Sequence, residues 1–465
     1  MPKNKKKENG ARALVPGAAW IALGGFIAKV IGALYRIPLT NFIGGKGMGL
    51  YQMAYPVYCL LLTVSATGIP SSIAKLTAER IGRGESEKPL FVAAMRLFLI
   101  IGGVGTILMC AVSPFLAKAQ GSEEILFGYF ALAPSVFIVA IISVFRGYFQ
   151  GKNHMFPTAA SEIIEQVIKV GAGLFFAWRF QENTAKAVVF LLLSVSISEV
   201  IACLFMVFAY RRYKRKEKPV KTQNDGGRVA INRILRISFP VTIGSILIPL
   251  SSLIDSVFAV RLLSVYESDA VSLYGLFSGG AVTVINLPVS ICYGIAAASI
   301  PAVAMAKAKT PSVKGKNIVR RKWLFSLAIT AVISLPAAVG LYALAEPIAK
   351  IIYKNLRAAE LEILVKLIRI FSLSAFTLSC AQTLSACLTA QGKPQHSALS
   401  MGLGMLTKTA VYAVLLRNKQ ISVFGLAYAT NIGYLVAFFM DLLYNFHVTR
   451  KRGEHTRANK KEKAI

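Results

Sequence analysis

Lysine, arginine and carboxylate side chains set inside apolar sequence are the residues of this chain equipped for chemistry. Between Arg146 and Lys169 the segment RGYFQGKNHMFPTAASEIIEQVIK joins two long apolar runs and carries Arg146, Glu162, Glu165 and Lys169 into what reads as hydrocarbon. In a helix, Glu162, Glu165 and Lys169 fall at i, i+3 and i+7, one stripe on one face, with Glu165 and Lys169 paired at i, i+4. Lipid cannot solvate such a stripe, so it must face a protein interior or a watery cavity. The plainer alternative is an ion pair that only fixes helix packing. Lys29 and Arg36 in the first apolar run, Glu199 in the sixth, Asp255 in the seventh and Lys408 in the eleventh are charges of the same kind. Fixed cations gain strength where water is scarce, so a chamber holding Lys29, Arg36, Arg146, Lys169 and Lys408 would attract an anion of phosphate or diphosphate type. Glu162, Glu165 and Asp255 would then bind a coupling proton or Na+, or hold the cations in place.

These charges need helices that cross a bilayer. The chain has 465 residues, 55% hydrophobic and only 16% charged, and apolar runs longer than about 18 residues recur along it. That is an all-α polytopic membrane protein, since each span must satisfy its own backbone groups and long runs suit helices rather than alternating barrel strands. Hydropathy places about twelve spans, at 14–39, 48–76, 89–117, 124–149, 156–179, 185–211, 234–263, 270–306, 323–352, 362–389, 396–416 and 421–447. The formal net charge of +32 would point to nucleic acid in a soluble protein. Here the cations gather in particular connections and at both ends, which is a topology signal and implies no nucleic-acid partner. Basic tails at 1–13 and 448–465 place both termini in the cytoplasm, next to anionic lipid, and require an even number of spans. The first run lacks a cleavage site of signal-peptide type.

The segment 212–233 is polar, basic and broken by Pro219 and Gly226-Gly227, and reads as a cytoplasmic linker between an N-lobe, 14–211, and a C-lobe, 234–447. Two short matches relate the halves: Gln150-Gly151-Lys152 to Gln391-Gly392-Lys393, and Ile69-Pro70 with Lys75 to Ile300-Pro301 with Lys307. They occur at corresponding spans, so the halves form two pseudo-symmetric six-helix lobes, and a cavity is expected between them. Lys169 and Lys408 then lie at equal depth, roughly 20 Å along their helices at ~1.5 Å per residue. Six cysteines without CxxC spacing and four scattered histidines give no support for disulfides, metal or another cofactor. Trp178 and Trp323 fall at span ends, where an indole anchors at the headgroups.

RGYFQG from Arg146, MFPTA from Met155, EIIEQ from Glu162, LYRIPL from Leu34 and GLYQMAYP from Gly49 together resemble the stage V sporulation protein B group of polysaccharide and lipid-oligosaccharide flippases. That group lies in the multidrug/oligosaccharidyl-lipid/polysaccharide superfamily, with the lipid II flippases and the multidrug exporters. The resemblance covers nearly the whole chain. It implies two lobes around a central cavity, alternating access, and as cargo a polyprenyl-diphosphate-linked saccharide of the cell wall or another envelope polysaccharide. It also implies the cytoplasmic membrane as location, membrane lipids as partners, and cell-wall synthesis proteins as further candidates. AKVIGALYR from Ala28 is similar to the arginine-bearing first span of the lipid II flippases, with Lys29 in an arginine position and Arg36 displaced by one residue. The Asp-Arg-x-x-Glu pattern of their eighth span is absent, the second span lacks their arginine pair, and twelve spans stand where the group commonly has fourteen. A cation exporter of the multidrug type and a non-transporting scaffold are the alternatives. A membrane glycosyltransferase or ligase is disfavoured, because the expected external loops carry neither a DxD pair nor a histidine.

Overall fold

The computed structural model describes residues 3–66, 69–215, 227–309 and 313–462. Helices fill nearly all of them, and they pack into two compact units, Met1–Val257 and Phe258–Ile465. The first unit opens on α1 (Lys3–Ala66), which is two helices meeting at Gly44, φ 67° and ψ −173°. Only glycine takes that backbone conformation without strain, so the GGKGMG stretch turns one apolar run into two. Then come α2 (Ile69–Gly82), α3 (Lys88–Ala119), α4 (Leu126–Gly151), α5 (Phe156–Arg179), α6 (Thr184–Lys214) and α7 (Gly227–Leu263), the last running on into the second unit. Of the linker expected at 212–233, residues 216–226 lie outside the described residues.

The second unit continues with α8 (Ala270–Gly275), a π-helical turn over Leu276–Ala281, α9 (Val282–Lys309), α10 (Val313–Ala343), α11 (Ala345–Ile352), α12 (Ala358–Phe371), α13 (Leu373–Ala390), α14 (Pro394–Leu415) and α15 (Phe424–Glu462). The π-turn loosens the hydrogen-bond ladder, and the Tyr353 hydroxyl donates to the Gly280 carbonyl at 3.1 Å. The run expected as one span at 362–389 has its hydrogen-bond ladder interrupted at Ser372, whose own backbone stays helical, φ −56° and ψ −35°, with neither Pro nor Gly there. Asn431 of α15 makes the break tolerable: its Nδ2 donates to Ile370 O at 2.7 Å, and its Oδ1 accepts from Ser374 Oγ at 2.5 Å.

Each unit repeats one packing scheme. In the first, α5 lies along α6, and α4 packs on α2, α3 and α6; in the second, α14 lies along α15, and α13 packs on α9, α10 and α15. The matched motifs occupy matched places. Gly151 sits so close to Thr77 and the Ala74 carbonyl of α2 that an added Cβ would stand 2.6 Å from Thr77 Cβ. Gly392 lies against Lys307 of α9, whose ammonium donates to the Gln391 carbonyl. Both Gln-Gly-Lys turns therefore pack onto the helix carrying their unit's Ile-Pro pair, and the two-lobe architecture is a repeat in space as well as in sequence.

Among the described residues, ten helical segments are long and apolar enough to cross a membrane, against the expectation of about twelve. The two expected spans not among the ten are 14–39, whose side chains are largely outside the described residues, and α5. At 24 residues α5 is about 36 Å long, at ~1.5 Å per residue. Its Glu162, Glu165 and Lys169 are what lower its hydropathy, and it packs against α1 and α6. Trp178 is exposed, as an interfacial anchor would be. Trp323 corrects the expectation made for it: it is fully buried, edge-on to Phe446 at 4.9 Å, in a core with Val303 and Leu384. All six cysteines are free.

Where α3, α4 and α6 end together in the first unit, Glu87 gathers two cations. Lys152 Nζ is 2.8 Å from Glu87 Oε1 and Lys214 Nζ 3.5 Å, while the Tyr148 hydroxyl donates to the same oxygen at 3.2 Å. The Lys152 ammonium also stands 5.0 Å from the Tyr148 ring and 5.1 Å from the Tyr213 ring. Burial alone would raise the Glu87 pKa, but the Lys152 hydrogen bond and charge outweigh it and hold the carboxyl at about 2. Burial pulls the Lys152 ammonium below its ordinary value in spite of Glu87, so the intact pair gains little net stability while its disruption is costly. Glu87→Gln, measured as thermal unfolding in detergent, should cost about 2–4 kcal/mol by stranding a buried ammonium. Because the folded-state pKa lies below the ordinary carboxylate value, the stabilisation is present above about pH 4.5 and disappears as pH falls towards 2.

Candidate functional site

The interior of the first unit holds an ionic network built from four helices. Arg146 of α4 points at α5, where its Nη2 is 3.0 Å from Glu165 Oε2 and its Nε donates to Ser161 Oγ at 3.0 Å. Both ionic side chains are largely buried, 16% and 18% exposed, so the pair works in a medium of low polarity. Gln166 Nε2 donates to the other Glu165 oxygen at 3.4 Å. Glu162, half-buried one turn away, lies within electrostatic range of Arg146. From α6, Glu199 reaches the same group: its Oε1 accepts from the Tyr58 hydroxyl at 2.6 Å, and its Oε2 is buried with no hydrogen-bond partner among the described residues.

Lys169 occupies the centre. It is 8% exposed and forms no direct ion pair among the described residues, although Glu165, Glu199, Arg36 and Cys59 all lie within electrostatic range. A buried ammonium without a carboxylate in contact is costly unless something else meets its charge. The helix α1 supplies the remaining wall. Tyr51, Tyr55 and Tyr58 recur at i, i+4 and i+7 and form a ladder, with ring centroids 5.3 Å and 5.8 Å apart, that runs from the neighbourhood of half-buried Arg36 to Glu199. Gly173 lets α1 and α5 come close enough for this: a Cβ added there would collide with the Tyr35 hydroxyl.

Of the residues singled out from the sequence, Arg36, Arg146, Glu162, Glu165 and Lys169 thus share one network. The Lys29 side chain lies outside the described residues. Asp255 is half-buried on α7, next to Ser256, which belongs to a different hydrogen-bonded group: Gln120 Nε2 donates to Ser256 Oγ at 2.9 Å and to Met53 O at 3.0 Å. Lys408 is in the second unit, on α14, its Cβ packed against Gly433. Glu199 and Tyr58 were the functional candidates that residue type alone underrated. Glu199 stood out as an acid in an apolar run, and the tyrosine ladder is legible as a 4-3 spacing, but their pairing is tertiary. With every group ionised, three cations, Arg36, Arg146 and Lys169, face three carboxylates, Glu162, Glu165 and Glu199. The charges balance in number, but among the described residues only Arg146 is in contact with a carboxylate, and Lys169 stands without one.

Two repeated helical units packed in this way share the fold of solved transporters of the multidrug/oligosaccharidyl-lipid/polysaccharide superfamily. A solved structure of that superfamily, an inward-facing multidrug resistance MATE family transporter, superposes with a TM-score of 0.77 over 94% of this chain and 99% of its own, at 16% identity. Stage V sporulation protein B of Bacillus subtilis is 27% identical over 436 residues, 90% of this chain and 81% of its own. Lipid II flippase MurJ of the same organism is 21% identical over 468 residues, 95% of this chain and 84% of its own. The chain belongs to the polysaccharide biosynthesis protein family, whose model matches residues 14–307.

Proposed function

We propose that this protein moves an undecaprenyl-diphosphate-linked saccharide, a peptidoglycan precursor or another envelope polysaccharide unit, across the cytoplasmic membrane by alternating access. The family match and the likeness to a protein named as a lipid II flippase support the class of cargo. The observation that carries the reading is Lys169, a buried ammonium with no carboxylate in contact, within electrostatic range of Arg36 and of Glu165 and Glu199, the acids that also act on Arg146. A diphosphate headgroup supplies the missing counter-charge. As it binds at Lys169, it draws Arg146 away from Glu165, and the freed carboxylate becomes a place for a proton. Cargo and proton would then be linked by exchange of partners within one network, with Glu162 and Asp255 as further acids on the route. Lys29 and Lys408 complete the cationic set in this proposal, with both termini on the cytoplasmic side.

The test is reconstitution into vesicles with candidate undecaprenyl-diphosphate saccharides. Lys169→Ala should lower the translocation rate at least about hundredfold, some 2.7 kcal/mol of barrier, with expression and folding intact. A rate equal to wild type would remove the site from the reading. Three carboxylates in the network also favour a second reading, an exporter of small organic cations. In that case Glu199→Gln, with Lys169 untouched, abolishes efflux of a lipophilic cation and leaves lipid translocation absent in both proteins. A scaffold without transport would show neither activity.

A further inference from the structure

The second unit contains a buried acid that lies apart from this network. Asp441 stands in the middle of YLVAFFMDLLYNF on α15 and is 2% exposed. Among the described residues, its Oδ1 is buried without a hydrogen bond and no cation pairs with the carboxyl. Ser400 of α14 stands beside the carboxyl. One helical turn from Ser400 is His396, whose carbonyl accepts from the Ser400 hydroxyl at 2.9 Å and whose own Nδ1 is buried without a hydrogen-bond partner among the described residues. The His396 ring packs edge-on against Tyr444, three residues beyond Asp441, at 4.8 Å. The antiparallel seam of α14 and α15 therefore lines up His396, Ser400 and Asp441 in one row. The row starts at the Gln391–Lys393 turn and ends where Gly404 and Gly433 press backbone to backbone.

We propose that Asp441 is a proton-binding site of the second unit, filled and emptied through Ser400 and His396 from the end that bears the Gln391–Lys393 turn. A carboxylate in that position would be an uncompensated charge among apolar side chains, whereas the carboxylic acid is neutral and can donate. One carboxyl and one hydroxyl also offer fewer oxygens than metal cations gather around themselves. Among the described residues, no counter-ion is in contact with the carboxyl. From α14 come His396 and, past the glycine contact, Lys408; α13 contributes only Cys380 and Cys387 among titratable groups. Arg320 of α10 is committed to the Phe446 ring at 5.0 Å, and on α12 Lys366 pairs with Glu362 at 2.8 Å while Arg369 lies 4.0 Å from Glu346. On α15 itself Tyr444 packs on His396, and His447 is exposed. The step is a proton transfer alone: the carboxyl O–H breaks, imidazole carries the proton, and bulk water receives it.

Infrared difference spectroscopy of the protein in lipid nanodiscs reads this site without any cargo. At neutral pH the wild type should show the carbonyl stretch of a protonated carboxyl that shifts on transfer to deuterated water and vanishes on alkaline titration. Asp441→Asn should delete that band, and His396→Phe, which keeps the packing on Tyr444, should slow its deuterium exchange about tenfold. Glu199→Gln should leave it in place, which separates the site from the network of the first unit. Should Asp441→Asn fail to fold, Asp441→Glu replaces it and must move the band. A band unchanged by either substitution, or one that never exchanges with solvent, overturns the proposal.

Discussion

On the proposed function, Arg146→Ala should abolish translocation and also destabilise the protein, and a second substitution should separate the two effects. Removing the guanidinium leaves Glu165 buried without its 3.0 Å partner, and Ser161 Oγ loses a donor. Breaking a buried pair in this way costs about 3–5 kcal/mol, because the stranded charge is the expensive object rather than the lost attraction. Arg146→Ala/Glu165→Ala removes both charges and should recover most of that stability. Transport should not recover, since the headgroup has lost a cation that nothing replaces. Thermal unfolding in detergent and vesicle translocation, measured on the same preparations, check the pair. Were the double variant to regain translocation along with stability, Arg146–Glu165 would be a packing device and no part of the cargo site.

Gly433→Val should be the most destabilising substitution in the second unit. An added Cβ at Gly433 would stand 2.7 Å from the Gly404 carbonyl oxygen and 2.9 Å from Lys408 Cβ, and one at Gly404 would stand 2.5 Å from the Gly433 carbonyl oxygen. Backbone atoms of two packed helices cannot step aside as a flexible side chain can. The seam between α14 and α15 must open, at a cost of roughly 3 kcal/mol, and Lys408 and the Ser400–Asp441 pair move with it. Gly340→Val on α10 is the matched control, because a Cβ there meets nothing within 4 Å. Equal unfolding midpoints for the two variants would show that the seam is not under this constraint.

The sequence displays the charges but not their partners. Glu162, Glu165 and Lys169 are legible as a stripe because helical periodicity is local, and the two Gln-Gly-Lys turns are legible as a repeat because each unit uses its turn in the same packing contact. The link from Glu199 to Tyr58 spans 141 positions and depends on how α1 meets α6, which no local pattern encodes. Asp441 offered a signal as plain as that of Lys169, a lone acid in an apolar run. Its ligandless oxygen becomes meaningful only when Ser400 and His396 are seen beside it. Trp323 misleads for a physical reason: an indole at the edge of an apolar run has the same local sequence whether it anchors in headgroups or packs on Phe446. The break at Ser372 is hidden because the side chain that makes it tolerable, Asn431, arrives from α15.

Headgroup binding with simultaneous proton counting reaches the exchange of partners most directly. Undecaprenyl diphosphate is titrated calorimetrically into the protein in nanodiscs in two buffers of different ionisation enthalpy, with the uncharged alcohol undecaprenol as comparison. The network of Arg36, Arg146 and Lys169 with Glu165 and Glu199 predicts that the diphosphate binds with uptake of protons, that the alcohol binds far more weakly, and that Lys169→Ala reduces both affinity and uptake. Equal binding of alcohol and diphosphate, or diphosphate binding with the same heat in both buffers, would contradict it.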